Sequence, residues 1–436
     1  MRNDLISLKL IISHREPKMN ILYFPFEFPP FFVGGLGTYA FEMARRFARM
    51  GHSVTVFSKN PGDAITRDLY EGVEVHRPLV TDMVDLLPLI VPGDIKQWPT
   101  ASQNYFADVF IHNLLSATKS INLLTRMDKR NFDIIVAHDW LDAIAGIICK
   151  KALRKPFVFH LHSTEQGRVT DGSPTVKNLE KLVGTIADVI ITVSYAMRDH
   201  LISLGYDEKK IQVVPNGVDE KKYNPGSRKF SHDKITKFRE KIGVGTDPMI
   251  LFIGRLTWVK GADTLVRAMP MILNEVPNAK LVILGKGDQE EMIKHLIGHL
   301  GIQNNVKTYF EYVDEKERLL YYAACNIAVF PSKYEPFGIV CTEAMSMEKP
   351  VIVGAKGISG FREQIIPSGS DRCGAHVNPD DPYDIAKFAI EMLKSETLRK
   401  ELGRNARKRV LERYTLDKVA EETIEIYKEL VGVPES

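Results

Sequence analysis

The sequence predicts an α/β protein with two domains, each built on a parallel β-sheet that helices cover on both faces. From residue 19 onward, short apolar runs of strand length alternate with longer segments whose apolar residues recur at helical spacing. This alternation is typical of parallel sheets, because each parallel strand needs a crossover to reach the next one. A length of 436 residues also exceeds what one hydrophobic core usually supports.

Composition and charge exclude several classes of protein. Hydrophobic residues make up 44% of the sequence and charged residues 26%, and a net charge of +3 is too small to indicate a nucleic-acid partner. No segment reaches the roughly 18 apolar residues of a membrane-spanning helix, so we expect no stable membrane insertion. Residues 1–18 include Lys9 within a short apolar run and lack a small-residue cleavage site, so we interpret them as an N-terminal extension without a signal peptide.

The cysteine pattern favours a reducing compartment. Four cysteines lie far apart, and no two of them form a C-x-x-C pair. A secreted domain held together by disulfides would show a denser framework. The sequence therefore predicts reduced or buried thiols in a cytoplasmic protein, at Cys149, Cys325, Cys341 and Cys373.

The alternation of the first half begins with an apolar strand at 20–26. A glycine-rich turn that includes Gly34 and Gly35 follows it and leads into a helix closed by Gly51. The backbone N–H groups of such a turn can bind a phosphate, although the same turn also occurs as a simple tight connection. Further strands are predicted at 53–58, 73–78, 132–140, 155–162 and 187–194.

A long insertion at 79–115 interrupts this alternation. We predict irregular structure there, with Trp98 in its course. Long insertions are often functional. An added segment that packs on the surface of the domain, without a function of its own, explains this one equally well. Its apolar and aromatic content would suit a wall that binds a substrate.

Polar side chains occur where two strands of the first half end. His138, Asp139 and Trp140 end the strand at 132–140. His160 and His162 lie two apart on the next strand, so they face the same side of the sheet. Open α/β sheets bind ligands at the carboxyl ends of their strands, and these residues are therefore candidates for a site.

The second half opens with a strand from Pro248 and a loop that presents Arg255 and Lys260, followed by a helix from Ala262. Strands at 279–288, 306–312 and 326–330, a helix at 314–324 and a further strand after Lys349 continue the alternation. An amphipathic helix at 413–430 ends it.

The segment at 332–345, SKYEPFGIVCTEAM, joins the strand that ends at Phe330 to a helix that begins near Gly338. The free N–H groups of that helix would point at the edge of the sheet, where an anion could bind. Glu335 lies on the loop, and Glu343 lies about one and a half turns into the helix. The two acids can therefore bind different parts of one ligand.

The run E-P-F-G-I-V-C-T-E resembles the E-x7-E motif of retaining glycosyltransferases of the GT-B fold, which include glycogen and starch synthases. The G-R-x4-K-G run that holds Arg255 and Lys260 and the P-N-G-V-D run at 215–219 are similar to segments of the same family. The resemblance covers 19–430. It implies two Rossmann-like domains facing a cleft: an acceptor-side domain at 19–218, a donor-side domain at 219–412 and a C-terminal helix at 413–436 that crosses back to the first domain.

This resemblance also implies the site residues. The family places Glu335, His162 and Asp139 against the reacting sugar and Glu343 on the donor's ribose. The positive charge needed by the leaving diphosphate would come from Arg255 and Lys260 and from helix N–H groups, without a metal, because the chain lacks a D-x-D acid pair. The implied donor-binding residues are Gly34, Gly35, Arg255, Lys260, Phe337, Gly338, Ile339 and Glu343.

The implied activity is that of a glycogen synthase without a cofactor. Glucose would pass from ADP-glucose or UDP-glucose, with retention, to the non-reducing end of an α-1,4-glucan. The same motifs occur in trehalose-type, sucrose-type, mannosyl and glycolipid transferases, so a different acceptor stays open. Phe32 stands where the K-x-G-G-L motif of bacterial glycogen synthases has lysine, which predicts a relaxed choice between ADP-glucose and UDP-glucose.

Two other classes of protein fit the sequence less well. A dinucleotide-dependent oxidoreductase would carry G-x-G-x-x-G after the first strand and an acid at the end of the second, where Ser58 and Lys59 stand instead. A non-catalytic sugar-binding protein with two α/β lobes would be expected to carry an export signal.

Overall fold

The computed structural model describes residues 18–31, 34–81, 91–169 and 172–432. The first half forms an eight-stranded sheet in the order β3-β4-β2-β1-β5-β6-β7-β8, in which only the β3–β4 pair is antiparallel. The strands are β1 Asn20–Phe24, β2 Ser53–Phe57, β3 Arg67–Tyr70, β4 Val73–His76, β5 Ile134–His138, β6 Phe157–Leu161, β7 Val189–Thr192 and β8 Ile211–Val213.

The second half forms a six-stranded parallel sheet in the order β11-β10-β9-β12-β13-β14. Its strands are β9 Met249–Ile253, β10 Lys280–Leu284, β11 Val306–Tyr309, β12 Ile327–Phe330, β13 Val351–Gly354 and β14 Gly374–Val377. The two parallel-sheet halves confirm the predicted GT-B architecture.

Helices connect the strands and cover both faces of each sheet. In the first half they are Gly35–Arg49, Gly93–Lys96, Thr100–Thr118, Asp139–Leu153, Glu165–Arg168, Pro174–Ile186 and Tyr195–Ser203, with a π-helical segment at Lys119–Met127 and a 3-10 turn at Glu208–Lys210. In the second half they are His232–Lys241, Ala262–Glu275, Glu290–His299, Glu315–Ala324, Ile339–Ser346, Phe361–Gln364, Pro382–Lys394, Glu396–Arg413 and Leu416–Val431, with 3-10 turns at Arg228–Phe230 and Trp258–Lys260.

The central strands are buried on both faces, as their continuous apolar runs predict. In β1, Ile21 packs into one core and Leu22 into the core on the other face. In β9, Ile250 and Leu251 alternate in the same way between the two cores of the second sheet. The four cysteines are free and buried, as predicted. No helix in the described part of the chain is long and apolar enough to cross a membrane.

The prediction of irregular structure at 79–115 is wrong for most of the described part, because Thr100–Thr118 is a helix. Residues 82–90 lie outside the described residues. The helical period was hidden because polar residues lie on the buried face of this helix. The amide of Asn113 donates to the carbonyl of Leu141 (2.6 Å), and its oxygen accepts from Ala145 N (2.8 Å). These buried hydrogen bonds take the place of apolar contacts, so the apolar spacing that is typical of a helix is missing from this part of the sequence.

The final helix, Leu416–Val431, crosses back to the first half, as predicted. Arg46 of the first half donates from Nε to the Asp417 carboxylate over 2.8 Å. At the crossing, Val218 N donates to the carbonyl of Tyr414 (2.8 Å), and the chain at 218 and 414–416 runs as a short parallel pair. The helix therefore packs in the core of the first half, through residues such as Val419, Ile424 and Tyr427.

Candidate active site between the two sheets

The glycine turn of the first half lies close to the second half at one point. The helix Gly35–Arg49 begins there, and a Cβ atom added to Gly35 would lie 3.3 Å from Ile339 Cδ1. Ile339 is the first residue of the helix Ile339–Ser346. The N–H of Gly34 donates to the Glu27 carboxylate over 3.1 Å, so that amide has an anionic partner within the chain. The predicted phosphate-binding turn thus faces the predicted anion-binding helix; Phe32 lies outside the described residues.

Gly338 precedes that helix in a conformation that favours glycine. Its φ angle is +88°, and a Cβ atom there would lie 2.1 Å from Phe361 Cε1 and 3.0 Å from Glu335 Cγ. The helix begins at Ile339, as predicted. Gly338 therefore lets the backbone turn tightly beside Glu335.

Glu335 and Lys260 form an ion pair at this edge of the second sheet. Lys260 Nζ lies 2.5 Å from Glu335 Oε2, and Ser332 Oγ donates to the same oxygen over 3.3 Å. The backbone of Glu335 is paired with residues 358–360 on both sides. Glu335 is only 8% exposed, whereas the Lys260 side chain is 26% exposed, so the carboxylate is the more buried partner. Sequence reasoning placed each residue at the site but did not foresee that they pair.

The predicted partner of Lys260, Arg255, lies apart from this pair. Its side chain is exposed and makes no hydrogen bond or ion pair with the described residues. Arg255 lies five residues before Lys260 on the loop that follows β9. Its guanidinium is therefore available to an added ligand.

Glu343 lies in a buried cluster with two tyrosines and an arginine. Its carboxylate accepts from Tyr223 (2.6 Å) and Tyr322 (2.7 Å), and Arg318 Nη2 lies 3.3 Å away. The Glu343 charge raises the pKa of Arg318, and burial followed by that charge raises the pKa of both tyrosines. Sequence reasoning missed these three partners, although Tyr223 lies just after the P-N-G-V-D run. Both oxygens of Glu343 already have partners in this structure.

The predicted site residue Phe337 has its side chain in the core of the second half. Its ring packs edge to face against Tyr414, with centroids 5.9 Å apart, and its carbonyl accepts from Gln364 Nε2 over 2.7 Å. The side chain of Phe337 therefore holds its loop against the core of the second half.

Three histidines, His138, His160 and His162, form the histidine cluster at the carboxyl ends of β5 and β6. The ring centroids of His138 and His160 are 4.8 Å apart, and His138 Nδ1 lies 3.1 Å from His162 Nε2. His160 Nε2 lies 3.0 Å from the hydroxyl of Tyr427, on the final helix. Tyr39 packs edge to face on His162, with centroids 4.8 Å apart. The predicted placement of His160 and His162 on one face is confirmed, and the structure brings the predicted candidate His138 to them and adds both tyrosines.

Burial controls the protonation of the histidine cluster. It lowers the pKa of all three imidazoles, and mutual repulsion lowers the pKa of His138 and His160 further. These side chains are therefore neutral at neutral pH. Their ligating nitrogens lie within 4.8 Å of one another, and imidazole nitrogens are ligands that transition metals prefer. In this arrangement, however, His138 and His162 pair with each other.

Asp139 follows His138 and supports the loop after β6. Its carboxylate accepts from His162 N over 2.7 Å and from Ser163 N over 3.4 Å. Asp139 is buried, and its φ of +49° is unusual for a residue with a side chain. A strained backbone that holds a histidine in place is typical of a functional site. Asp139 therefore supports the backbone of His162 through a hydrogen bond.

The loop that carries Glu335 contacts the first half directly. The hydroxyl of Tyr334 accepts from Thr164 N over 3.4 Å, and its ring lies so close to Gly167 that a Cβ there would be 2.3 Å away. Ser194 caps the helix Tyr195–Ser203 and also donates to the carbonyl of Pro336 over 2.6 Å.

A carboxylate from the second half binds the start of that same helix, Tyr195–Ser203. Glu363 accepts from Tyr195 N (3.0 Å) and Ala196 N (2.8 Å). A carboxylate at a helix N-terminus is favoured by the unpaired N–H groups and by the helix dipole. The two halves are therefore held together within a few residues of Glu335.

Two family models match the chain. "Glycosyltransferase Family 4" matches 33–222, and "Glycosyl transferases group 1" matches 234–409. A protein of Methanocaldococcus jannaschii described as an uncharacterized glycosyltransferase is 33% identical over 416 residues, covering 94% of this chain and 98% of its own.

More distant relatives carry different specific names. Glycogen synthase of Mycobacterium tuberculosis is 27% identical over 94% of both chains. D-inositol 3-phosphate glycosyltransferase of Xylanimonas cellulosilytica is 26% identical over 91% of both chains. The structure of sucrose-phosphate synthase from Thermosynechococcus elongatus has a TM-score of 0.72 at 20% identity and covers 96% of this chain and 100% of its own, which supports the fold. The identity of 33% over 94% of this chain leads to one conclusion: this chain belongs to the glycosyltransferases.

Proposed function

We propose that this chain transfers glucose from ADP-glucose or UDP-glucose, with retention, to the non-reducing end of an α-1,4-glucan, as a glycogen synthase in the cytoplasm. The observation that carries the proposal is the Lys260–Glu335 pair beside the N-terminus of the helix Ile339–Ser346, opposite the glycine turn at Gly35. A relative named glycogen synthase that aligns over 94% of the chain supports the acceptor.

The leaving diphosphate would bind between the glycine turn at Gly34 and Gly35 and the start of the helix Ile339–Ser346, which Gly338 precedes. Lys260 and Arg255 supply positive charge, and the N–H groups at Gly338 and Ile339 approach from another direction. Aimed donors of this kind are worth about 10²–10³ in rate each. Because Lys260 is now paired with Glu335, the diphosphate has to share or replace that partner. Arg255 has no side-chain partner among the described residues, so it has none to give up.

The reaction that we propose leaves the sugar configuration unchanged. The bond between the anomeric carbon and the diphosphate oxygen breaks, and the acceptor hydroxyl oxygen bonds to that carbon from the same face. The hydroxyl proton passes to the leaving phosphate. Glu335 supports the positive charge that develops on the sugar, and the neutral imidazole of His162 binds a sugar hydroxyl. Asp139 positions His162 through its backbone N–H.

Glu343 would contact the ribose of the donor in this proposal. Since Tyr223 and Tyr322 occupy its oxygens, a ribose hydroxyl has to share an oxygen with one phenol. An ionised carboxylate offers about four acceptor positions, so sharing is feasible. Glu343 thus acts on the nucleotide and on the packing of the second half together.

The charges on the first half favour an uncharged acceptor. Lys59 is paired with Asp108 over 2.6 Å, and Arg168 lies between Glu165 (3.7 Å) and Glu180 (3.8 Å). A phosphorylated acceptor, as in the name of the inositol phosphate relative, would need cations without such partners. A neutral glucan needs only hydrogen-bonding groups and apolar faces.

The proposal includes the division of the chain into an acceptor-side domain at 19–218, a donor-side domain at 219–412 and a crossing helix at 413–436. The chain passes between the halves at Val218 and at 414–416, side by side. Two adjacent crossings would allow a hinge that closes on the donor. Small-angle scattering with and without nucleotide sugar and glucan measures that closure.

One assay tests the proposed function. The chain is incubated with ADP-, UDP- or GDP-glucose and with glycogen, maltotriose, inositol 3-phosphate or no acceptor. We expect transfer to both glucans from ADP- and UDP-glucose, with the α-configuration retained. Faster transfer to inositol 3-phosphate than to either glucan would overturn the proposed acceptor.

A further inference from the structure

His138 has no role in the reaction proposed above, yet its ring contacts the imidazole of His162 directly. His138 Nδ1 lies 3.1 Å from His162 Nε2, and the two ring planes differ by 26°. The ring centroids are 5.3 Å apart, which is nearly the N···N distance plus two ring radii. Both nitrogens therefore lie close to the line that joins the two rings. An imidazole nitrogen donates or accepts along this direction, so the contact is an in-line N–H···N hydrogen bond.

This hydrogen bond needs one donor and one acceptor. Burial lowers the pKa of both imidazoles, so each ring carries a single proton at neutral pH. A neutral imidazole has one N–H group and one nitrogen with a lone pair. Two arrangements satisfy these conditions: His138 donates to His162 from Nδ1, or His162 donates to His138 from Nε2.

The surroundings of His138 distinguish the two arrangements. His138 is fully buried, and its Nε2 has no hydrogen-bond partner among the described residues. If His162 were the donor, the proton of His138 would lie at Nε2, as a buried N–H group without a protein acceptor. Such N–H groups are rarer in proteins than buried acceptors with an unused lone pair. The proton of His138 therefore lies at Nδ1, and His138 donates to His162.

The direction of this hydrogen bond also places the proton of His162. Because Nε2 of His162 accepts, its single proton lies at Nδ1. His162 is the partly exposed member of the histidine cluster, and its Nδ1 makes no hydrogen bond in the part of the chain that the structure describes. An imidazole in water favours the other tautomer, with the proton at Nε2. The surroundings of His162 therefore select the less common tautomer and leave its N–H group to a ligand.

We propose that His138 is a positioning residue that holds His162 in the tautomer whose Nδ1–H donates to a hydroxyl oxygen of the transferred sugar. This inference rests on the proposed function, in which His162 binds a sugar hydroxyl. Asp139, the next residue, accepts from the backbone N–H of His162 over 2.7 Å. Two consecutive residues thus fix the backbone and the proton of the same histidine.

The proposal specifies what a replacement for His138 has to provide. Without the Nδ1–H donor, the proton of His162 can exchange between its two nitrogens, and part of the population presents a lone pair to the sugar. An Asn side chain carries its amide N–H near the position of Nδ1 in histidine, whereas a Gln side chain reaches the position of Nε2. Asn should therefore replace His138, and Gln should not.

NMR of the natural chain, labelled with ¹⁵N-histidine and measured without substrates, tests the hydrogen bond directly. We expect a proton bound to Nδ1 of His138, with a scalar coupling across the hydrogen bond to Nε2 of His162. The signals are identified by their loss in His138→Asn and in His162→Gln. A proton bound to Nε2 of His162, or the absence of a coupling between the two nitrogens, would overturn the inference.

The activities of three variants give a second measurement. His138→Phe keeps a flat ring without a donor and should lower kcat/KM for transfer to glycogen about five- to tenfold. His138→Asn should recover most of this loss although it fills less space, and His138→Gln should not. A role in packing alone predicts the reverse order, with Asn more harmful than Phe. His76→Phe is the matched control, because it also removes a hydrogen bond of a buried imidazole, between Nε2 and Glu74 (3.0 Å), and it should leave kcat/KM unchanged.

The outcomes separate this inference from the proposed function. If the natural chain transfers glucose to glycogen but His138→Phe keeps the natural kcat/KM, His138 does not position His162, and the proposed function stands. An equal loss in all three variants would assign His138 to packing alone and overturn the inference. If the natural chain uses no glucan, the proposed function fails, and the NMR measurement decides the inference by itself.

Discussion

The two sides of the candidate active site have opposite electrostatic character. On the first half, the histidine cluster is buried with Tyr39 and Tyr427, and burial keeps its imidazoles neutral. On the second half, Lys260 is paired with Glu335, and Arg318 with Glu343. Both sets lie at the carboxyl ends of parallel strands or on the segments that follow them, so the same architecture carries two kinds of chemistry.

The difference shows how the packing around a titratable group decides its charge. A group buried without an opposite charge loses its ionised form, whereas a paired group keeps it. Burial also raises the pKa of Glu180 on the first half to about 8, although Arg168, 3.8 Å away, acts in the opposite direction. A neutral side suits sugar hydroxyls, and a charged side suits a diphosphate.

The largest expected effect comes from removing the acid of the charged side. Glu335→Ala should abolish detectable transfer, because it removes the carboxylate proposed to face the sugar, and His162→Ala should do the same from the neutral side. Both variants should keep their far-UV circular dichroism. Glu311→Ala, at an exposed position on the second half, is the control. Turnover near normal in a folded Glu335→Ala or His162→Ala variant would contradict the site assignment.

Removing the cation of the same pair should have the next largest effect. Lys260→Ala is expected to lower kcat by about 10²-fold, the scale for one aimed electrostatic group. Lys316→Ala, which removes an exposed lysine without a partner in the described chain, should leave kcat unchanged. Activity should persist in excess EDTA, since the protein's own charges neutralise the diphosphate. Activity that disappears with EDTA and returns with Mg²⁺, together with a mild Lys260→Ala effect, would show that a metal performs this role.

Glu343→Ala should combine weaker nucleotide binding with lower stability. The substitution removes the short acceptor of both tyrosine hydroxyls and the carboxylate beside Arg318, and it leaves longer contacts such as Tyr322 to the Val340 carbonyl (3.3 Å). We expect a cost of about 1–3 kcal/mol in the free energy of unfolding. Glu343→Gln keeps hydrogen-bond acceptors and should lose affinity for ADP or UDP with less loss of stability. Calorimetric binding and urea unfolding separate the two effects. Unchanged nucleotide affinity in both variants would remove Glu343 from the donor site.

Two other buried histidines of the first half should make stability depend on pH in a defined direction. Burial lowers the pKa of His76 to about 4 and that of His112 to about 3, below the ordinary value of 6.5. Between these values the unfolded chain binds more protons than the folded one, so stability falls as pH falls from 6.5 towards 4. Each such histidine contributes up to about 1.4 kcal/mol per pH unit in this window.

Urea unfolding at pH 7 and pH 5 measures this dependence. His76→Gln should reduce the loss of stability between the two pH values, whereas replacement of the exposed His295 by Gln should not. An equal loss in the natural chain and in His76→Gln would show that this histidine is not held neutral.

The smallest expected effect concerns donor choice. Since Phe32 leaves the first half without the lysine of the bacterial motif, kcat/KM for ADP-glucose and UDP-glucose should agree within about tenfold, a difference of about 1.4 kcal/mol. Phe32→Lys restores the lysine of the bacterial motif and should shift the preference towards ADP-glucose. Strict preference for ADP-glucose in the natural chain would contradict this explanation.

The sequence alone determined the fold and the local parts of the site. Apolar runs of strand length alternate with segments of helical spacing, and this alternation identified two parallel-sheet halves. Each pattern reflects the burial of residues within its own segment. The loop with Glu335, the glycine at 338 and the helix start at Ile339 were also predictable, since turn and helix-start preferences act over a few residues.

Only the tertiary structure decided how these parts are connected. Tyr223 meets Glu343 across 120 positions of the chain, Glu363 binds the helix at Tyr195 across 168, and the final helix brings Tyr427 to His160 across 267. The helix Thr100–Thr118 likewise buries polar residues that find partners only on the helix Asp139–Leu153. Such pairings could not be predicted from one sequence. The pattern of apolar residues around a position reflects only its own segment and is the same whichever distant residue it contacts.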